Sequence, residues 1–133
     1  MPHATGTFEV KLVPLHADGE PQDPALGRIS IDKQFHGDLE GTSKGQMLTG
    51  GTSVKGSGAY VAIEKVSGTL HGRSGTFILR HTGTMTRGAP ELQITVVPDS
   101  GTNELGGLSG RFDIKVDDGE HSYDFEYTLP EVS

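Results

Sequence analysis

Glu64 and His81 are the residues of this sequence best suited to acid–base chemistry. Alternation in the runs 59–70 and 75–82 puts Glu64 on a face with Tyr60, Ala62 and Val66, and His81 on a face with Phe77 and Leu79. A carboxylate drawn into an apolar interior has its pKa raised by desolvation, and a neighbouring imidazolium pulls it back. Such a pair can shuttle protons near neutral pH. The same residues could equally form a buried hydrogen-bonded pair that only fixes how two strands align. Tyr60, Tyr123 and Tyr127 could aim hydroxyls into the same space as ligand contacts, or serve as aromatic core. Phe77 would line that space, and Glu104, on the loop after the sixth run, would stand near its mouth.

Other constellations carry less. Gly41-Thr42-Ser43-Lys44-Gly45 matches the Gly-x-Ser-x-Gly nucleophile elbow, but that motif needs a helix after the serine, and here Gly50-Gly51 follows almost at once. The stretch 51–57 resembles a phosphate loop, yet Lys55 precedes Gly56 where the motif wants lysine after glycine; a hairpin loop is the simpler reading. His36, Asp38 and Glu40 alternate, so an unbroken strand would put all three on one face as a hard-metal site might. A turn at His36-Gly37 would instead separate the histidine and pair Lys33 with Glu40. The remaining histidines, 3, 16, 71, 81 and 121, lack zinc-site spacing, and no metal is expected.

The elements that must position these residues are strands. Twenty of the 133 residues are glycine, and no segment free of both glycine and proline exceeds the ten residues of 120–129, too short for a domain built from ordinary helices. Eight alternating runs follow one another: 7–13, 28–35, 38–48, 59–70, 75–82, 91–97, 111–116 and 121–129. The last sets His121, Tyr123, Phe125, Tyr127 and Leu129 against Ser122, Asp124, Glu126 and Thr128. Gly-Thr recurs at irregular spacing, so it marks turns and strand starts, not a repeat. The only long loop is 14–27. These features fit an all-β fold of about eight antiparallel strands, a closed antiparallel barrel or a sandwich, in a single domain over 1–133.

Turn chemistry suggests two registers. Asp118-Gly119 is a favoured two-residue hairpin turn and would pair Val116 with His121, Ile114 with Tyr123 and Phe112 with Phe125. A turn at Gly72-Arg73 would oppose Val66 with Leu79, Glu64 with His81, and Phe77 with Gly68, an aromatic covering a strand glycine. If Tyr60, Ala62, Glu64 and Val66 line the barrel, then Val61 and Ile63 point outward. A neighbouring subunit would cover them most simply, so a homo-oligomer is expected.

A net charge of −7 disfavours nucleic acid and anionic membranes as partners. With no cysteine there is no disulfide frame or thiolate metal site, and the first six residues lack the basic start and apolar run of a secretory signal. A cytoplasmic location is the resulting expectation.

Several stretches resemble the bacterial domain-of-unknown-function family numbered 3224: Phe35-His36-Gly37-Asp38-Leu39-Glu40-Gly41, the run 58–66, Gly72-Arg73-Ser74-Gly75-Thr76-Phe77, Ser100-Gly101-Thr102-Asn103-Glu104-Leu105, and Tyr123-Asp124-Phe125-Glu126-Tyr127. That family is similar in fold to the allene oxide cyclase barrel, with eight mainly antiparallel strands and a tendency to oligomerise, so the resemblance implies an allene oxide cyclase-like barrel without implying a reaction. The family often carries a tryptophan where this chain has Val13-Pro14-Leu15-His16, so one pocket wall differs. Two functions are therefore expected. One is a cofactor-free isomerase, cyclase or lyase acting on a small apolar molecule, with Glu64 and His81 as its acid–base pair. The other is a non-catalytic barrel binding such a ligand, or a structural oligomer with a filled lumen.

Overall fold

Alternating side chains between frequent glycines leave the chain little choice but strands, and eight form: β1 (His3–Pro14), β2 (Leu26–Gly37), β3 (Leu39–Gly51), β4 (Gly58–Leu70), β5 (Arg73–Thr86), β6 (Ala89–Val96), β7 (Ser109–Asp117) and β8 (Glu120–Thr128). The computed structural model describes residues 2–15 and 23–130. Each strand pairs antiparallel with the next, and β1 pairs with β8, closing an eight-stranded barrel. Much of the expected loop 14–27, and His16 with it, lies outside the described residues. Closure removes the sheet edges that an open array of this size would expose.

Three hairpins turn through two residues that both have positive φ: His71-Gly72, Arg87-Gly88 and Asp118-Gly119. This is the geometry that matches the right-handed twist of the flanking strands. The β7–β8 register is the expected one, with Phe112 opposite Phe125, Ile114 opposite Tyr123 and Val116 opposite His121. The β4–β5 register is not. The turn sits one residue earlier than Gly72-Arg73, so Glu64 faces Leu79, Ala62 faces His81 and Val66 faces Phe77. The cause is a tether at His71, which takes φ of 46° while its N–H donates to the Asp38 carbonyl at 2.9 Å. A two-residue shift keeps every side chain on its expected face. Phe77 therefore does not cover Gly68. That device appears instead at Gly83, opposite Tyr60, where a Cβ would lie 2.3 Å from the tyrosine ring.

The β2–β3 turn also differs from its His36-Gly37 alternative. Phe35 faces Gly41 and Lys33 faces Ser43, so Lys33 does not meet Glu40. Ser43 lies within β3, and 52–57 is a loop between β3 and β4, so neither the elbow nor the phosphate loop exists.

The two ends of the barrel are unlike. At the end bearing the β2–β3, β4–β5 and β6–β7 connections, the lumen is filled by Phe35, Leu39, Leu70, Phe77, Phe125 and their neighbours. Leu105, in the short 3-10 turn Asn103–Leu105, and Leu108 are both buried and plug it. At the opposite end Leu12, Met85, Leu92 and Val116 lie on inward faces yet are 45–60% exposed, so they form an apolar rim. The β6–β7 ladder is short, Ile94 with Phe112 and Thr95 with Arg111, and the wall parts toward this rim.

Unequal filling predicts unequal sensitivity. Phe125→Ala should cost about 3–5 kcal/mol, the range for truncating a packed aromatic. Val116→Ala, at the rim, should cost less than about 1 kcal/mol. Urea unfolding monitored by circular dichroism distinguishes them.

Candidate functional site

Glu64 is completely buried, and four strands converge on its carboxylate. Lys33 Nζ of β2 donates to Oε2 at 2.8 Å, His81 Nε2 of β5 donates to the same oxygen at 2.5 Å, and Ser43 Oγ of β3 donates to Oε1 at 2.7 Å. The side chains of Lys33 and His81 are nearly as buried, at 8% and 6% exposure. Lys33 Nζ also lies 5.2 Å from the Phe8 ring centroid and 5.9 Å from that of Phe35, within cation–π reach. Burial by itself would push the Glu64 pKa up. The His81 hydrogen bond and the charge of Lys33 outweigh it and bring the group down to about 2. The carboxylate is thus ionised and its hydrogen-bonding capacity largely taken.

Glu64 and His81 meet although they are not cross-strand partners. They are diagonal neighbours, two residues apart in register, and two long side chains span that offset. Approach of β3 to β4 requires the glycine opposite Glu64: a Cβ at Gly45 would lie 2.1 Å from the Ile63 carbonyl oxygen and 2.6 Å from Glu64 Cα.

Of the seven residues singled out in the sequence, three gather in this half of the barrel: Glu64, His81 and the half-buried Tyr60. The Tyr60 hydroxyl pKa is raised by burial and by the Glu64 charge. The other four belong to the closed end. Phe77 stacks on Phe125 with centroids 5.8 Å apart and is core. The Tyr123 hydroxyl accepts from Leu39 N–H at 2.9 Å and lies 3.0 Å from the His36 carbonyl, locking the β2–β3 turn. Tyr127 hydroxyl and His71 Nδ1 share a hydrogen bond of 2.5 Å. Glu104, exposed on the 3-10 turn, accepts from Ser74 N–H at 3.1 Å and braces the plug. None of these four turns a free polar group toward the open mouth: Phe77 has none, and the other three spend theirs on holding the closed end.

Sequence reasoning missed Lys33 and Ser43. The signal for Lys33 was present: it interrupts the inward series Ile29, Ile31, Phe35. The His36, Asp38 and Glu40 group does not converge on one point, although His36 Nδ1 stays 3.9 Å from Glu40 Oε2. His36 bonds Glu9 at 2.9 Å, Asp38 accepts from Thr5 N–H at 2.9 Å, and Glu40 accepts from Gly37 N–H at 2.8 Å. Among the described residues no cluster of three metal-ligating side chains occurs.

Above the charged cluster the inward faces of β3 to β6 enclose a recess of about 320 Å³, lined chiefly by Met47, Tyr60, Met85, Pro90 and Leu92. His81 lies one inward position below Gly83, which lines the recess, and is itself buried beneath it. A second cleft, of about 610 Å³, separates β1 from the tip of the β7–β8 hairpin, where Phe8 and Val10 meet Asp118, Glu120 and His121. The β1–β8 ladder stops at Phe8 and His121, which opens it.

Because Glu64 has a folded pKa of about 2 against its usual 4.5, its ionisation stabilises the fold above pH 4.5. That contribution, on the order of 3 kcal/mol, is lost as pH falls toward 2. Thermal melts across this window should show the loss, and Glu64→Gln should flatten it. At pH 7 Glu64→Gln should itself cost about 3–5 kcal/mol by stranding the Lys33 ammonium. The Lys33→Met/Glu64→Gln double variant should lose clearly less than the sum of the single effects; strict additivity would refute the coupling.

A family model described as a protein of unknown function, DUF3224, matches residues 4–127. A crystal structure of a protein with unknown function from the DUF3224 family of Shewanella oneidensis MR-1 is 46% identical, with 99% of each chain covered and a TM-score of 0.91. No curated protein matches the chain. Among the described residues no helix is long and apolar enough to cross a membrane. The chain belongs to the DUF3224 family.

Proposed function

We propose that this protein binds a small apolar molecule in the open mouth of its barrel. The observation that carries the reading is the recess of about 320 Å³ inside the rim, whose exposed surface is almost entirely apolar and includes two methionines, although Thr49, Thr84 and Glu91 also border it. Its volume falls at the lower end of the range for small-molecule sites, and methionine adapts to varied ligand shapes. The exposed rim side chains Leu12, Met85, Leu92 and Val116 would gain burial when the mouth is occupied.

Binding is favoured over acid–base catalysis by the state of Glu64. A carboxyl group held near pKa 2 is a weak base, and it has no proton to give near neutrality. Its two oxygens are already engaged by Lys33, His81 and Ser43. In this reading the cluster is a rigid polar floor below the recess, and Tyr60, which lines the recess, flanks the ligand. The allene oxide cyclase likeness contributes an architecture to this proposal and no reacting group.

Nile red, a neutral apolar dye, is a suitable probe. Its fluorescence should rise on binding, and Met85→Glu should weaken binding at least tenfold by placing a charge in the recess. Glu64→Gln should change affinity far less, provided the variant remains folded by circular dichroism. An unaltered affinity in Met85→Glu would rule the mouth out.

A further inference from the structure

The outer face of β3, β4 and β5 carries an apolar track that the fold itself does not cover. Leu48 and Val61 are cross-strand partners and are 56% and 51% exposed; Ile63, the next outward residue of β4, is also 51% exposed. Ile78 continues the track diagonally onto β5. The groove along these residues has a volume of about 780 Å³.

At one end of the track two lysines face each other. Lys44 and Lys65 are direct partners across β3 and β4, both exposed. Like charges in that position repel and destabilise a sheet unless an anion lies between them. Asp32 is the partner of Lys44 on β2, but no ion pair forms between them. Among the described residues, neither lysine is in any ion pair, and neither are Arg28 and Arg80, which flank the track. Four cations without an ion pair thus border one apolar strip, on a chain whose net charge is −7. An isologous contact with a second copy of this face would set those cations against their own kind.

We infer that this outer groove is a second binding site, distinct from the barrel mouth, for a monomeric anionic amphiphile: a medium-chain carboxylate. The head group bridges the ammonium groups of Lys44 and Lys65. The tail runs over Ile63, Val61 and Leu48. From Lys65 to Val61 the strand advances roughly 13 Å, a medium-chain alkyl length. Charge pairing alone at so exposed a position is weak and screened by salt. The head therefore orients the ligand, and the tail supplies most of the affinity.

Dodecanoate below its micellar concentration is the probe, followed by calorimetry and by methyl NMR of the intact chain. Saturable binding should shift the Val61, Ile63 and Leu48 methyl signals. Lys44→Glu/Lys65→Glu should weaken it at least tenfold, and the neutral dodecanol should bind at least tenfold more weakly than dodecanoate. Ile63→Ser should also weaken it while leaving Nile red binding unchanged. Shifts confined to Met85 and Leu92 would overturn this site and leave the mouth reading standing; failure of Met85→Glu to affect Nile red would do the reverse. Unaltered binding in the double-lysine variant, binding only to anionic phosphatidylglycerol vesicles, or burial of the face by self-association in sedimentation would each refute the inference.

Discussion

A carboxylate removed wholly from water has to be neutralised where it lies, and much of the interior of this barrel follows from that demand at Glu64. Lys33, Ser43 and His81 reach it from three other strands, so one anion ties β2, β3, β4 and β5 together. The hydrophobic effect alone would not specify such an arrangement, because apolar side chains of similar size pack in several registers. A charged, directional cluster admits only the alignment in which every donor meets an acceptor. No side-chain nitrogen or oxygen is buried without a hydrogen-bond partner among the described residues, as that reading requires.

The cluster also divides the lumen. Toward the plugged end, aromatic side chains fill the space in a chain of ring contacts from Phe8 through Phe35 and Phe112 to Phe125 and Phe77. Toward the other end the inward residues are smaller or flexible, and glycines 45 and 83 bring backbone and tyrosine ring close together instead of adding bulk. A small barrel can close without filling itself, since its diameter is set by strand number and tilt and not by its contents. The outcome is a stable half and an accessible half, separated by fixed charge.

This division changes what the acid–base residues can mean. Isolated in an apolar wall, a glutamate beside a histidine suits proton transfer; here the His81 hydrogen bond and the Lys33 charge together keep the same glutamate ionised near neutrality. Chemistry thus depends on the whole cluster, in which Lys33 joins the pair recognised in the sequence. The tyrosines tell a parallel story. Tyr123 and Tyr127 were candidates for ligand contact, yet their hydroxyls secure the β2–β3 and β4–β5 turns. Polar groups at the end of an aromatic ring find the nearest unmet backbone or imidazole atom, and at a barrel end the turns supply it.

Local sequence determined the strands, their faces and one register. Period-two alternation fixes which side chains point inward, as with Tyr60, Ala62, Glu64 and Val66 against Val61 and Ile63, and Asp118-Gly119 fixes a hairpin through its own φ preferences. The closeness of Glu64 and His81 was legible too, because a two-residue register error leaves faces unchanged and long side chains bridge the difference. Tertiary structure decided the rest. The β4–β5 turn was settled by a hydrogen bond from His71 to Asp38, thirty-three positions away in the chain, which no local propensity contains. The approach of Lys33 and Ser43 to Glu64 depends on the stagger of four strands, and stagger is a property of the closed barrel. Which end is filled depends on where Leu105 and Leu108 fold back, and that contact exists only after closure.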